Sequence, residues 1–155
     1  MLVHQSFLVL GNSPIKAIAD VDRSGQKIAG TRNDSIALCL KRVLQQAALV
    51  EFANSPEIIT KALINREIDA LGANRQRLTT LMRSVPGSRL LPDNFFNVPQ
   101  NIVVPMGKPE VLAAVNAFLD DVRGSGFPRD AGAKGGAIGV ETAPTSPGSQ
   151  HGCLG

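Results

Sequence analysis

Short apolar runs alternate with helical stripes along most of the chain. Amphipathic helices are predicted where apolar residues recur at intervals of three and four, as in Ile36, Leu40, Val43, Leu44 and Ala47. The apolar runs between the helices predict strands at residues 7–10, 26–30, 49–52 and 68–73. Strands and helices that alternate at such short intervals favour an α/β fold with a mostly parallel sheet and helices on both faces.

The pattern changes in the last third of the chain. Residues 102–104 are predicted to form another buried strand, and Pro109 opens a strongly periodic helix that ends near Gly124. From Gly132 onward, Gly, Pro, Ser, Thr and Ala dominate, and only Ile138 and Val140 offer apolar surface to bury. Residues 132–155 are therefore predicted to be a flexible tail.

Composition and charge indicate how many domains to expect and which partners to exclude. The chain has 155 residues, of which 43% are hydrophobic, so one ordinary domain with a packed core is expected. The net charge of +3 comes from scattered basic residues, and Trp and Tyr are absent. Nucleic-acid surfaces carry clustered basic stripes or stacking aromatics, so a nucleic-acid partner is not expected.

The signatures of enzymes, cofactors and membranes are missing from the sequence. It contains no glycine-rich phosphate loop, no Gly-x-Ser-x-Gly motif and no metal-ligand spacing, and His4 and His151 both lie near the ends. We expect no catalysis, no metal and no cofactor. Residues 1–6 lack a signal-peptide pattern, and residues 7–10 are too few to cross a bilayer, so no membrane insertion is expected.

The two cysteines are far apart in sequence. Cys39 lies inside an apolar helical pattern, whereas Cys153 lies in the predicted tail. This spacing matches neither a metal site nor a redox pair. We interpret Cys39 as a small buried side chain and Cys153 as an unrelated thiol.

Polar side chains gather where predicted strands turn into helices. In open α/β sheets, ligands bind beyond the carboxyl ends of the strands, where helices present free N–H groups. A single N-cap needs one residue, and Asn33, Asp34 or Ser35 could supply it. Five consecutive hydrogen-bonding side chains exceed that need, so a ligand site competes with simple capping. The candidates at these three edges are Thr31, Arg32, Asn33, Asp34, Ser35, Asn54, Asn74 and Arg75.

Four stretches taken together resemble a known family. Residues 27–35, 50–57, 62–71 and 103–116 are similar, in order and spacing, to the second lobe and return strand of the family 3 periplasmic solute-binding proteins, which serve amino-acid-type ABC importers. The resemblance runs over about residues 7–130. It implies a periplasmic-binding-protein-like type II lobe, a small polar ligand, an ABC permease as partner and a periplasmic location.

The resemblance also implies a division of the chain. Residues 1–21 would be a crossover strand and linker, 22–98 the ligand-binding lobe two, 99–131 the return strand with lobe-one helices, and 132–155 the tail. Most of lobe one, which is N-terminal in the family, would be missing. The complete proteins are clamshells that close on their ligand by hinge motion.

Two departures from the family pattern affect the expected ligand. Where amino-acid binders usually carry Gly-Ser/Thr-Thr/Ser for the ligand carboxylate, this chain has Asn33, Asp34 and Ser35. Where they usually carry Asp for the α-ammonium group, it has Asn74. A carboxylate would be repelled by Asp34, so we expect a ligand with a cationic or hydrogen-bond-donating end there rather than an ordinary α-amino acid. Gln100 completes the candidate set.

Three alternatives stay open. Cyclohexadienyl dehydratases resemble these binders, and Asp34 is the one obvious acid–base group for such an enzyme. An effector-binding sensor domain would use the same fold. A self-associating remnant would form a swapped homodimer by exchanging lobe-one pieces between copies.

Overall fold

The structure is a computed structural model that describes residues 1–142 and Cys153. The strands are β1 (Leu2–Leu10), β2 (Lys27–Thr31), β3 (Ala48–Phe52), β4 (Ala70–Asn74), β5 (Ser88–Leu90), β6 (Phe96–Pro99) and β7 (Val140–Glu141). The helices are α1 (Ser35–Val43), α2 (Pro56–Ile64), α3 (Arg75–Met82), α4 (Pro109–Gly124) and α5 (Phe127–Lys134), with a short 3-10 turn at Ile18–Asp20.

The strands form one sheet in the order β3-β2-β4-β1-β5, with β6 and β7 also paired to β1. Strand β2 pairs in parallel with β3 and β4, whereas β1 pairs antiparallel with β4, β5, β6 and β7. The other six strands therefore share one direction, and β1 alone among the described strands opposes them. The prediction of a mostly parallel sheet is confirmed, because six of the seven described strands run in the same direction. Every pairing made by β1 is antiparallel.

Helices cover both faces of the sheet, as predicted. Successive strand residues point to opposite faces, and Phe7 packs in the same cluster as Ile36 and Leu40 of α1. Its neighbour Leu8 packs in the other cluster, with residues of α2 and α3 such as Ile59. Burial on both sides of the strands explains why they are continuous apolar runs rather than alternating ones.

Helix α1 lies in close contact with the sheet. A Cβ on Gly72 would lie 2.8 Å from Ile36 Cδ1, and a Cβ on Gly30 would lie 3.0 Å from Ala37 Cβ. Real Cβ atoms do not make contacts as short as 2.8 Å, so a side chain at Gly72 would force Ile36 to shift, whereas the 3.0 Å contact at Gly30 is only tight. The first turn of α1 therefore lies directly against the ends of β2 and β4.

Strand β1 begins five residues earlier than predicted. The polar residues Gln5 and Ser6 interrupt the apolar pattern, yet both are buried because the strand has neighbours on both sides there. Gln5 pairs with Asn74 of β4 and with Phe96 of β6. The Ser6 Oγ donates to the Asp93 carbonyl at 2.8 Å, which satisfies the buried hydroxyl.

The predicted strand at residues 102–104 is wrong. No strand is assigned there, and the side chains of Ile102 and Val103 are 55% and 91% exposed. The pairing is made instead by the preceding strand β6, whose Val98 lies opposite Val3 of β1. The sequence does not predict β6 because it contains Asn97 and Pro99, and both Asn and Pro are depleted in strands.

The helix predicted from Pro109 is present as α4, but none of its residues is buried. Helix α5 and strand β7 were not predicted, and β7 lies inside the predicted tail, where it pairs with Leu2 and Val3. The flexibility of the tail stays a prediction for residues 132–142, and the rest of the tail, apart from Cys153, lies outside the described residues. Within the described part, no helix is long and apolar enough to span a membrane.

The interpretation of the cysteines as unrelated thiols is wrong. Cys39 and Cys153 form a disulfide that joins residues 114 positions apart, with their Cα atoms 5.3 Å from each other. Spacing in the sequence holds no sign of this pair, because the fold alone brings the two residues together.

Candidate functional site

The predicted polar segments meet at one edge of the sheet. Thr31, at the end of β2, lies opposite Phe52 of β3, and Asn54 follows two residues later. Ala29 lies opposite Leu71 of β4, and continuing that register puts Thr31 level with Ala73, one residue before Asn74. Because these three strands are parallel neighbours, their carboxyl ends form a single polar edge, which we call the carboxyl edge.

The loop from Thr31 to Ser35 forms a tight turn at the centre of this edge. The Asp34 N–H donates to the Thr31 carbonyl at 3.0 Å, and the Arg32 N–H donates to the Phe52 carbonyl at 2.8 Å. Asn33 has a φ of 62°, a left-handed conformation that Asn tolerates better than most residues. The loop is thus held by its backbone; the side chains of Arg32 and Asn33 are exposed, those of Asp34 and Ser35 are half-buried, and Thr31 is buried.

The capping interpretation fails for this loop. Asp34 occupies the N-cap position of α1, yet its side chain makes no hydrogen bond to the helix. Its carboxylate Oδ1 instead accepts from the Ser35 hydroxyl at 3.0 Å. Ser55, the predicted cap of α2, also makes no side-chain cap bond. The carboxylate of Asp34 is therefore not used by the helix start and is placed at the carboxyl edge.

Asn74 does act as a cap, and it is connected to Asn54 through an arginine. The Asn74 Oδ1 accepts from the Arg77 N–H at 2.8 Å, and the Arg77 Nη2 donates to Asn54 Oδ1, also at 2.8 Å. Since β2 lies between β3 and β4, this second bond reaches across the end of β2. Arg77 is not among the candidate residues named from the sequence, so its place here was missed. The signal available was its position three residues after a capping Asn.

Arg75 points away from the centre of the edge. Its Nε donates to Asn94 Oδ1 at 2.6 Å, and its Nη2 donates to the carbonyls of Leu91, Pro92 and Asp93 at 2.9, 2.5 and 3.0 Å. These bonds hold the loop that precedes β6. A ligand would have to compete with them, so a binding role for Arg75 stays a prediction.

Gln100 does not join the other candidates. It lines a cavity of about 420 Å³ beneath α4, together with Met1, Leu112 and Thr142. A neighbouring groove of about 760 Å³ lies between α5, β7 and Gln76. Both concavities have mostly apolar surfaces, and the side chains of Asn101, Asn116 and Arg123 join Gln100 in the lining of the cavity beneath α4.

The carboxyl edge carries charged side chains of both signs. Arg32 and Arg77 contribute positive charge, Asp34 contributes negative charge, and Thr31 adds a hydroxyl. Asp20 and Asp22 lie outside this edge. Their pKa values are lowered because backbone N–H groups donate to their carboxylates. Across residues 1–142 and 153, no three His, Cys, Asp or Glu side chains are grouped to hold a metal ion.

Solved structures share this fold at low sequence identity. The chain matches a putative binding component of an ABC transporter from Wolinella succinogenes, complexed with lysine, with a TM-score of 0.68 and 19% identity over 92% of this chain and 61% of that one. It matches an ancestral amino acid-binding protein, a precursor of cyclohexadienyl dehydratase, with a TM-score of 0.65 and 20% identity over 86% and 58% of the two chains.

A third match is an ABC transporter periplasmic binding protein from Brucella ovis with glutathione bound, with a TM-score of 0.54 and 16% identity over 69% of this chain and 35% of that one. No protein-family model and no curated protein matches the chain. The comparisons confirm the α/β periplasmic-binding-protein-like fold, and the resemblance to family 3 binding proteins is confirmed as a likeness of fold. The chain spans about three-fifths, or less, of the length of these proteins.

Proposed function

We propose that this chain is the ligand-binding lobe of a solute-binding component of an ABC importer, and that it holds a small polar molecule at the carboxyl edge. The observation that carries the proposal is the convergence of Thr31–Ser35, Asn54 and Asn74 on that edge, in a fold shared with ABC-transporter binding proteins. Parallel α/β sheets bind ligands at this end of their strands. The residue range 22–98 remains our proposed extent of the lobe.

The carboxyl edge also favours one class of ligand. The Asp34 carboxylate accepts from the Ser35 hydroxyl but makes no cap bond to the backbone of α1, so it can accept further bonds from a ligand donor. The same charge disfavours an approaching carboxylate at close range. Asn74 is neutral, and its amide oxygen is already used by Arg77 N–H. We therefore propose a ligand that presents a cationic or hydrogen-bond-donating group to Asp34 and lacks the free carboxylate of an α-amino acid.

An ABC permease as partner and a periplasmic location belong to the same proposal. Two of the matched proteins are described as ABC transporter components, and one of these two as periplasmic. The Cys39–Cys153 disulfide supports an extracytoplasmic location, because thiols are kept reduced in most cytosols. The proposal assigns no cofactor to the lobe.

Calorimetry with a matched pair of solutes tests the ligand class. Arginine and its decarboxylated counterpart agmatine differ by the carboxylate that Asp34 should reject. We expect agmatine to bind about tenfold more tightly than arginine, which corresponds to about 1.4 kcal/mol. Asp34→Asn should remove that preference. Asp121→Asn, at an exposed position on α4, is the control and should preserve it. Tight arginine binding that is unchanged in Asp34→Asn would contradict the proposal.

A dehydratase is the second candidate, because one matched protein is a precursor of cyclohexadienyl dehydratase. Asp34 is the group at the carboxyl edge that could act as acid or base. Incubation with prephenate or arogenate, followed by detection of phenylpyruvate or phenylalanine, distinguishes the two functions. Turnover by the native chain that is lost in Asp34→Asn would replace the binding proposal with the enzyme.

A further inference from the structure

We propose that the Cys39–Cys153 disulfide is a covalent strap, which fastens the C-terminal end of the chain to α1 and which the protein needs an oxidising compartment to form. Cys39 lies in α1 and is only 3% exposed. The Cα separation of 5.3 Å falls within the range of about 4.4–6.8 Å that disulfides require. The helix therefore presents its sulfur where Cys153 reaches it without movement of the backbone.

The partner cysteine, Cys153, is partly buried and lies against the hydrophobic core. Cys153 packs against the core cluster that contains Ile36, Leu40 and Phe7. The residues around it thus belong to the core on the α1 side of the sheet. A strap anchored there transmits the stability of that core to the end of the chain.

The position of the strap in the chain shows what it retains. The loop closed by the disulfide contains α4 and α5, which bury none of their residues. This helical pair is also attached through β7, whose Val140 pairs with Val3 and whose neighbour Gly139 accepts a hydrogen bond from the His4 N–H at 2.8 Å. A two-residue strand is a weak attachment, so the disulfide supplies the durable one.

The redox step is a thiol–disulfide exchange. The Cys39 and Cys153 thiols together give up two protons and two electrons to a disulfide oxidant, which leaves as two thiols while the Cys39–Cys153 bond forms. A dithiol reductant reverses the step and is itself oxidised to a disulfide. In a reducing cytosol the reduced form would dominate, and the strap would be open.

Peptide mapping and melting test the strap directly. Mass spectrometry of the non-reduced 155-residue protein, with free thiols blocked, should recover Cys39 and Cys153 in one linked peptide pair. Reductant should lower the melting temperature of the native chain by about 10 °C, because the closed loop is long. Cys153→Ser should melt at the lower temperature with or without reductant. Recovery of both cysteines as blocked thiols, or melting that is insensitive to reductant, would overturn the proposal.

Hydrogen exchange separates a strap from a general stabiliser. In Cys153→Ser we expect amide exchange to rise in β7 and α5 while the amides of β2 and β4 stay protected. Protection that is unchanged everywhere would overturn the proposal, as would a uniform loss of protection. None of these measurements involves a solute, so their outcome is independent of the proposed binding function.

Discussion

Two parts of the molecule contain similar amphipathic patterns and use them differently. In the N-terminal part, residues 1–99, apolar side chains such as Phe7 and Leu40 are fully buried. In the return segment, residues 100–142, the helices bury no residue, and Phe118 and Met106 are 61% and 99% exposed. The difference lies in the partners, since α1–α3 have a sheet to cover and α4–α5 mainly have each other. Periodicity predicts a helix, but only the surrounding fold decides whether it is buried.

The largest expected contrast between the two parts is the cost of removing a phenylalanine. Phe7→Ala should lower the free energy of unfolding by about 3–5 kcal/mol, because it leaves a cavity between the sheet and α1. Phe118→Ala should change it by less than about 0.5 kcal/mol, because the side chain is largely in solvent. Urea titration of both variants provides the measurement. Equal costs would show that α4 is buried and that the contrast is false.

Adding a methyl group tests the same contrast in the opposite direction. In Gly72→Ala the new Cβ would lie 2.8 Å from Ile36 Cδ1, and the overpacking should cost about 1–3 kcal/mol. Gly124→Ala, at the end of α4, meets nothing within 4 Å and should stabilise the helix by at most about 1 kcal/mol. Thermal melting of the matched pair checks both signs. A neutral Gly72→Ala would mean that α1 lies farther from the sheet.

The smallest expected effect on stability comes from replacing a carboxylate that accepts backbone hydrogen bonds. The N–H groups of Ala47, Gln45 and Gln46 donate to Asp22 and hold its pKa below the ordinary value of about 3.9. Since the folded pKa is depressed, this stabilisation is present above the unfolded pKa and is lost as the pH falls through the folded one.

Asp22→Asn should therefore lower the melting temperature by about 3 °C at neutral pH, and by less as the pH approaches 3. The control is Asp120→Asn in α4, where the exposed pair with Arg123 should contribute almost nothing. Melting curves between pH 3 and pH 7 measure both. A difference for Asp22→Asn that stays constant across that range would rule out the titration of its carboxylate as the cause.

The lobe could be predicted from the sequence because its signals are local. The apolar runs at β2, β3 and β4 and the stripe in α1 each lie within ten residues, and parallel pairing follows from their alternation. The carboxyl edge was predictable for the same reason, since parallel strands bring Thr31, Asn54 and Asn74 to one end.

The features that were missed depend on distant partners. Ile102 and Val103 have the composition of a buried strand but meet no neighbouring strand, whereas β6 contains Asn97 and Pro99 and still pairs with β1. The disulfide joins residues 114 positions apart. The bond from Arg77 to Asn54 crosses a strand that lies between them in the sheet but not between them in the sequence. No local pattern encodes contacts of this kind.

The most direct test of binding at the carboxyl edge is a titration of the isotope-labelled chain with agmatine, followed by amide NMR. A single lobe can contact only one face of a solute. We therefore expect weak, saturable binding with a dissociation constant of about 1 mM. The account predicts shifts concentrated at residues 31–35, 54 and 74. Saturable shifts confined to the cavities of the return segment around Gln100 and Leu112, or no saturable shift at any residue, would contradict it.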